Sequence, residues 1–286
     1  MSIALAEPRP SAITIRPLSD KFAAEVIGLD LRQPLDATMR QTILDAFVCY
    51  QVLAFRDQSL TGEQQMAFSE QFGTLERHAI RNRGTTHPLL NVVTNLGPDG
   101  KPSGRLANLL WHSDKSFRPE PSMATILHPV IMPPTGGDTC FADMYAAYDS
   151  LPDAEKAKLA NIRAIHSWEL SLAKSGRQAT AEEIADAPPM SHPLVRIHPD
   201  SRRKCLFMGE HASHFEGQSM EIGRARLAAL EAHATQEKFV YRHHWRAGDL
   251  LMWDNRCLLH RADQNFDPGA HARVLHRTCL RGTAPL

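Results

Sequence analysis

Leu110-Trp111-His112-Ser113-Asp114 stands between a polar run, 77–108, and the apolar run Met123-Ala124-Thr125-Ile126-Leu127. In an extended strand the side chains alternate between faces, so His112 and Asp114 point the same way with Ser113 behind them. An imidazole and a carboxylate on one wall are neighbouring ligands for a divalent metal. One more histidine from elsewhere completes two histidines and a carboxylate on one side of the ion. The opposite side then stays open, the arrangement that suits Fe(II); the same three groups also suit Zn(II). A His-x-Asp motif is weak in a chain with 15 histidines. A second copy, His198-Pro199-Asp200, carries a central proline and runs into Ser201-Arg202-Arg203-Lys204. It reads as a polar turn.

Outward from this stretch, the chain has 286 residues, 43% hydrophobic and 22% charged. That is an ordinary globular composition with enough apolar residues for a core. The length permits one large domain, and a single domain over 1–286 is expected. Lys+Arg and Asp+Glu both number 32, so the net charge is zero. No basic stripe suggests nucleic acid and no basic amphipathic helix suggests a membrane surface. No run approaches the roughly 18 apolar residues of a membrane span. Met1 to Pro8 lacks the basic and apolar regions of a signal peptide. The five cysteines, Cys49, Cys140, Cys205, Cys257 and Cys279, are spread out with no Cys-x-x-Cys pair. That argues against a disulfide framework or thiolate zinc site and for a reducing cytoplasm.

The opening third mixes strand and helix. Ile13 to Ile15, Ala24 to Ile27 and Val52 to Phe55 read as strands. Asp36 caps a helix with Met39, Ile43, Leu44 and Phe47 on one face. Thr61-Gly62-Glu63-Gln64 is a capping box for a helix ending near Gly73. Residues 77–108 form a long turn-rich segment, expected to be a lid-like insertion. A helix opens at Ser150-Leu151-Pro152-Asp153 and runs through Leu159, while 170–190 shows no clear period. Leu194 to His198, Cys205 to Met208, Phe239 to Trp245 and Leu250 to Trp253 read as strands, and Arg226 to Ala234 as a helix. The strand-rich second half with short turns predicts a mainly β fold with peripheral helices, a double-stranded β-helix or jelly roll.

Two further stretches carry chemistry. His260, in Met252-Trp253-Asp254-Asn255-Arg256-Cys257-Leu258-Leu259-His260-Arg261, can face His112 and Asp114 across a barrel mouth. In Arg273-Val274-Leu275-His276-Arg277 the two arginines share a strand face. Inward arginines require anionic partners, and arginine is suited to bidentate carboxylate capture. If that face is outward, both are simply solvated. Pro133-Pro134-Thr135-Gly136-Gly137-Asp138-Thr139 is a tight turn that delivers the Thr139 hydroxyl at the start of a strand.

Taken in order, these stretches resemble the taurine dioxygenase family of Fe(II)- and 2-oxoglutarate-dependent oxygenases. The 2,4-dichlorophenoxyacetate branch is the most similar. The likeness is carried by Leu110 to Phe117, Gly136-Gly137-Asp138-Thr139, Phe207-Met208-Gly209-Glu210-His211-Ala212-Ser213-His214, Ala234 to Cys257, and His260-Arg261. It implies that His112, Asp114 and His260 hold Fe(II), serving as the catalytic centre. Arg273, assisted by Thr139, pairs with the far carboxylate of 2-oxoglutarate, and O2 is the oxidant. Arg277 anchors the acid group of the primary substrate. Asn108 matches a substrate-side polar position, and His78 a sulfonate-contacting histidine. In the shorter lid, Arg81 stands where that branch has a lysine and Lys101 corresponds to a second. Phe117, Phe207 and Met208 are expected around an aryl ring, with His214, or His211, as a polar contact.

The implied reaction hydroxylates the carbon next to the acid group of a small, aromatic acid. For an aryloxyacetate the product collapses to a phenol and glyoxylate, alongside succinate and CO2. A homo-oligomer is expected, without nucleic-acid or membrane partners. A taurine, alkylsulfonate or other small-acid oxygenase would use the same iron groups with a different lid. A zinc hydrolase has no need of a second carboxylate cradle, and a non-catalytic jelly-roll binding protein has no need of the ligands.

Overall fold

The computed structural model describes residues 13–78, 87–174 and 176–286. In chain order its strands are β1 Thr14–Pro17, β2 Ala24–Ile27, β3 Val52–Phe55, β4 Asn91–Thr94, β5 Ser122–Ile131, β6 Thr139–Asp143, β7 Arg163–His166, β8 Met190–Pro193, β9 Val195–Ile197, β10 Lys204–Leu206, β11 Ala212–Phe215, β12 Val240–His243, β13 Leu250–Asp254, β14 Leu258–Ala262 and β15 Val274–Arg281. The helices are α1 Ala37–Tyr50, α2 Gly62–Glu70, α3 Met144–Asp149, α4 Asp153–Leu159, α5 Trp168–Lys174, α6 Ala181–Asp186 and α7 Met220–Ala234. The architecture is mainly β, with helices against the sheets.

The large sheet has the order β1-β2-β3-β13-β5-β15-β4, and a smaller one the order β12-β6-β14. The pairs are antiparallel except β2 with β3. Alternation along the central strands builds two cores. Val52 and Ala54 of β3, with Leu251 and Trp253 of β13, face one cluster containing Phe141, Leu259 and Leu275. Leu53, Phe55, Leu250 and Met252 face the other, which α1 and α2 cover through Ile43, Phe47, Met66 and Phe68. The first cluster lies where the two sheets meet, and the site lies at its edge.

Both caps read from sequence form. Asp36 accepts from the Met39 amide, and Thr61 and Gln64 bond reciprocally. Four expectations differ. Within 77–108, β4 pairs along β15, with Leu90 and Val92 buried; its short apolar alternation is flanked by turn residues that hide it. The aperiodic run 170–190 contains α5 and α6, and α6 has no buried residue to impose a period. Its start is nevertheless a capping box, Thr180 with Glu183. α7 begins at Met220 rather than Arg226, capped by Ser219, which accepts from the Ile222 amide; Met220 and Ile222 are exposed, so no buried apolar face marks its first turn. The strand expected through Met208 stops at Leu206, and Phe207 and Met208 are plain core.

Candidate active site

His112 and Asp114 do not lie in an extended strand. His112 makes one antiparallel bridge to His260, with the amides bonded at 3.0 and 2.8 Å, and the chain then turns at Asp114. Lys115 takes a left-handed φ of 53°. The two residues meet through this bridge and turn, not through strand alternation. Ser113 Oγ donates to the Asn255 carbonyl at 2.7 Å, and the Asp114 amide donates to Asn255 Oδ1 at 3.3 Å. Gly209 (φ 111°) lies against the segment: an added Cβ would come within 2.8 Å of the Trp111 carbonyl oxygen and 3.2 Å of His112 Cα.

Asp114 Oδ1 lies 3.9 Å from His112 Nε2, and Oδ2 lies 3.6 Å from His260 Nε2. All three side chains are buried, and their ligand atoms lie within 4.8 Å of one another. The His112 Nδ1–H donates to the Leu110 carbonyl at 2.8 Å, which fixes the tautomer and leaves the Nε2 lone pair facing the cluster. His260 is wedged between Trp253 and Phe141, at ring-centroid distances of 4.7 and 6.2 Å. Thr125 donates to Asp114 Oδ2 at 2.5 Å and accepts from Asn255 Nδ2 at 2.9 Å; Trp253 Nε1 holds Asn255 Oδ1 at 3.1 Å. Arg277 Nη1 pairs with Asp114 Oδ1 at 3.2 Å. Burial pushes the Asp114 carboxyl up, but Arg277, then His260, His112 and Thr125, outweigh it and hold the group well below the usual carboxylate range. Two imidazoles and an ionised carboxylate fit a divalent cation.

A narrow cavity next to the cluster is lined by Asn108, Thr139, His260, Arg273 and Arg277, with Val93, Leu127 and Trp253 among the apolar walls. The strand expected from Arg273 starts at Val274 and shifts register after it, yet both arginines reach this cavity. Arg273 is buried, and burial lowers its pKa to about 10, partly offset by Asp138. Its Nε donates to the Gly137 carbonyl at 3.0 Å; among the described residues no carboxylate pairs with it. His78 Nε2 is buried without a hydrogen-bond partner among the described residues. Burial first, then Arg277 and Lys115, lower its pKa to about 3 against Asp114, so the ring is neutral at neutral pH. Lys115 ties Glu76 at 2.7 Å, joining the segment before His78 to the turn at Asp114.

Of the other expected site residues, only Asn108 lines this cavity among the described residues. Asn108 sits at the mouth, with φ 63°, its carbonyl accepting from the Ala262 amide. Lys101 is exposed on the turn closed by the Gly97 amide and Lys101 carbonyl, away from the cavity lining. Arg81 lies outside the described residues. Phe117 is buried against Trp168 and His211, at 4.8 and 4.9 Å, behind His112 and not in the cavity wall. His214 bonds Ser213 Oγ on β11 and faces Gly223 of α7. His211 is the histidine beside His112, with ring centroids 6.3 Å apart and Nδ1 3.0 Å from Ser116 Oγ. Sequence reading missed Thr125, Asn255 as a side chain, Trp245 and Trp253. All four lie inside the stretches quoted above, but no residue-level signal marked them.

His198, Asp254 and Cys257 also cluster. Both Asp254 oxygens are already taken, by Arg256 (2.8 and 2.7 Å) and His198 (3.0 Å), and burial pushes the Cys257 thiol well up. His198 Nδ1 accepts from the Asp200 and Ser201 amides, so the turn read from sequence exists around a buried histidine. A larger cavity, about 570 Å³, lies beside β2 and the start of α1, lined by Glu25, Arg56 and Asp249, and has no metal-ligand set among the described residues.

A buried two-histidine, one-carboxylate cluster opening on a cavity with two arginines defines a non-haem metal oxygenase type of site. The sequence pattern of the taurine catabolism dioxygenase TauD, TfdA family matches residues 14–279. The chain is 42% identical over 282 residues to the alpha-ketoglutarate-dependent 2,4-dichlorophenoxyacetate dioxygenase of Cupriavidus pinatubonensis, covering 94% of this chain and 98% of that one. It is 35% identical over 270 residues to the (S)-phenoxypropionate/alpha-ketoglutarate-dioxygenase of Sphingobium herbicidovorans, covering 88% and 89%. The crystal structure of AAD-2 in complex with Mn(II) and N-oxalylglycine superposes with a TM-score of 0.84 at 41% identity, covering 96% of this chain and 99% of that one. The chain belongs to the TauD, TfdA family. It is a 2-oxoglutarate-dependent dioxygenase, a class that uses Fe(II), 2-oxoglutarate and O2.

Proposed function

We propose that this protein hydroxylates the carbon next to the acid group of an aryloxyalkanoic acid such as 2,4-dichlorophenoxyacetate, on a single double-stranded β-helix domain. The products would be a phenol, glyoxylate, succinate and CO2. The observation that carries the reading is the meeting of Arg273, Thr139 and Arg277 with His260 in one cavity beside the three-ligand cluster. Arg273, without a carboxylate partner among the described residues, and Arg277, tied to Asp114 through Nη1 only, provide for two anionic guests.

His112, Asp114 and His260 would hold Fe(II). When bound, Fe(II) with 2-oxoglutarate and O2 supplies the oxidation. Arg273 and Thr139 take the far carboxylate of 2-oxoglutarate, directed by the Nε–Gly137 tie. Arg277, with the unpartnered Nε2 of neutral His78 beside it, takes the substrate's acid group. Asn108 lies at the entrance. Val93, Leu127 and Trp253 keep water from the reacting carbon.

The test is anaerobic reconstitution with Fe(II) and 2-oxoglutarate, then O2, in parallel with phenoxyacetate, taurine, dodecyl sulfate and no substrate. Phenoxyacetate-dependent succinate and phenol are expected; succinate with taurine or dodecyl sulfate alone would discard the aryl substrate. Two variants refine the reading. Arg277→Lys keeps the charge beside Asp114 but loses the planar fork, and should raise KM for the acid about tenfold in steady-state assays. Thr125→Val keeps the shape but frees Asp114 Oδ2, and should weaken metal affinity by about 10–100-fold in a titration.

A further inference from the structure

Trp245 follows β12, whose His243 pairs in register with Thr139 of β6. The indole is half-buried and stacks edge-on against His243, with centroids 4.8 Å apart. Its Nε1–H donates to Thr139 Oγ1 at 3.1 Å, and Thr139 has no other side-chain partner among the described residues.

This bond fixes a proton's direction. A threonine hydroxyl carries one proton and two lone pairs, whereas an indole N–H only donates. Trp245 therefore occupies a lone pair of Oγ1 and cannot receive its proton, which is left for an acceptor in the cavity that Thr139 lines. Donation from the indole also polarises the hydroxyl and strengthens its own onward bond. Arg273 is prepared in a parallel way, its Nε committed to the Gly137 carbonyl and its two Nη groups without a protein acceptor among the described residues. That carbonyl is held in turn by the turn's tie to Asn265, which accepts the Gly137 amide at 2.7 Å.

We propose that Trp245 is a positioning residue of the cosubstrate cradle, its indole N–H setting the Thr139 hydroxyl as a donor to a carboxylate. This rests on the assignment of Thr139 and Arg273 to the far carboxylate of 2-oxoglutarate.

The test is calorimetric binding of N-oxalylglycine to the Mn(II)-loaded protein for wild type, Trp245→Phe, Thr139→Val and the double variant. Thr139→Val should weaken binding about tenfold and Trp245→Phe about fivefold. The double variant should be no weaker than Thr139→Val alone, because Trp245 acts through that hydroxyl. In turnover, Trp245→Phe should raise KM for 2-oxoglutarate and leave kcat at saturation unchanged. A merely structural role would instead make the two losses multiply. Multiplying losses, or wild-type affinity in Trp245→Phe, would overturn the proposal. If Trp245→Phe misfolds, 3-benzothienylalanine at position 245 keeps the bicyclic shape without the N–H and must give the same loss. Wild-type protein that fails to bind N-oxalylglycine would remove the cradle assignment itself. Binding by the wild type with no loss in Trp245→Phe would leave the cradle and remove only Trp245's role.

Discussion

Asp114→Ala is expected to abolish succinate formation and also to destabilise the metal-free protein. Groups that only support a ligand cost about 10–100-fold in metal affinity, so loss of the ligand should exceed that range. The stability loss has a separate cause. Asp114 is the buried ion-pair partner of the half-buried Arg277, whose Nε is itself buried without a partner among the described residues. Removing one member of a buried pair leaves an uncompensated charge, at about 3–5 kcal/mol. His260→Ala should lose turnover equally but cost the metal-free protein less, because His260 Nδ1 has no hydrogen bond to lose among the described residues. Urea unfolding beside a metal titration separates the two effects. Metal binding retained in Asp114→Ala would remove Asp114 from the ligand set.

Arg256→Leu is the second large effect, and it lies in the core. Arg256 grips Asp254 through Nε and Nη2 and reaches Asp200 through Nη1 at 2.7 Å. Without the guanidinium, Asp254 keeps His198 and the backbone amide of residue 256 against full burial, and we expect a loss of about 3–5 kcal/mol near neutral pH. Burial alone would raise the Asp254 carboxyl; Arg256 first, then His198, bring it well below the usual range. A depressed folded-state value means that this contribution is fully present above the unfolded-state value, about 3.9, and fades as pH falls toward the folded one. In Arg256→Leu burial dominates, so protonation relieves Asp254. The gap between wild type and variant should therefore narrow as the pH falls from the variant's raised folded-state value, above about 3.9, toward the depressed wild-type one. A gap that widens on acidification would refute the account.

Much of this was legible in the sequence because it depends on short patterns. The capping pairs at Asp36 and Thr61 act over three residues, and the unbroken apolar runs Val52–Phe55 and Leu250–Trp253 report two buried faces directly. His112, Asp114, His260, Thr139 and the arginines stood out by residue type, and they do come together. Their convergence required long-range pairing, such as His112 with His260. The reason His112 and Asp114 share a side was misread, because a bridge followed by a turn can leave the same spacing as a strand. Thr125 escaped notice since a threonine in a buried strand looks like packing until its hydroxyl is seen on Asp114. The substrate-side residues transferred least well. Lys101 is on an outer turn, Phe117 and His214 are outside the cavity wall, and His211 rather than His214 adjoins His112.

The paired amides of His112 and His260 join two segments about half the chain apart. The entropy of closing that long loop is spent when the sheets form, not when an ion arrives. A cation meets three donors already gathered, so chelation should strip it from a protein that stays folded, unlike a zinc finger, where binding and folding are one event. Such readiness gives little discrimination. Cu(II) and Zn(II) bind nitrogen and oxygen donors more tightly than Fe(II) does, and a rigid, preformed pocket accepts whichever ion the surroundings supply. The identity of the working metal is then set by the cell's metal pools rather than by the fold.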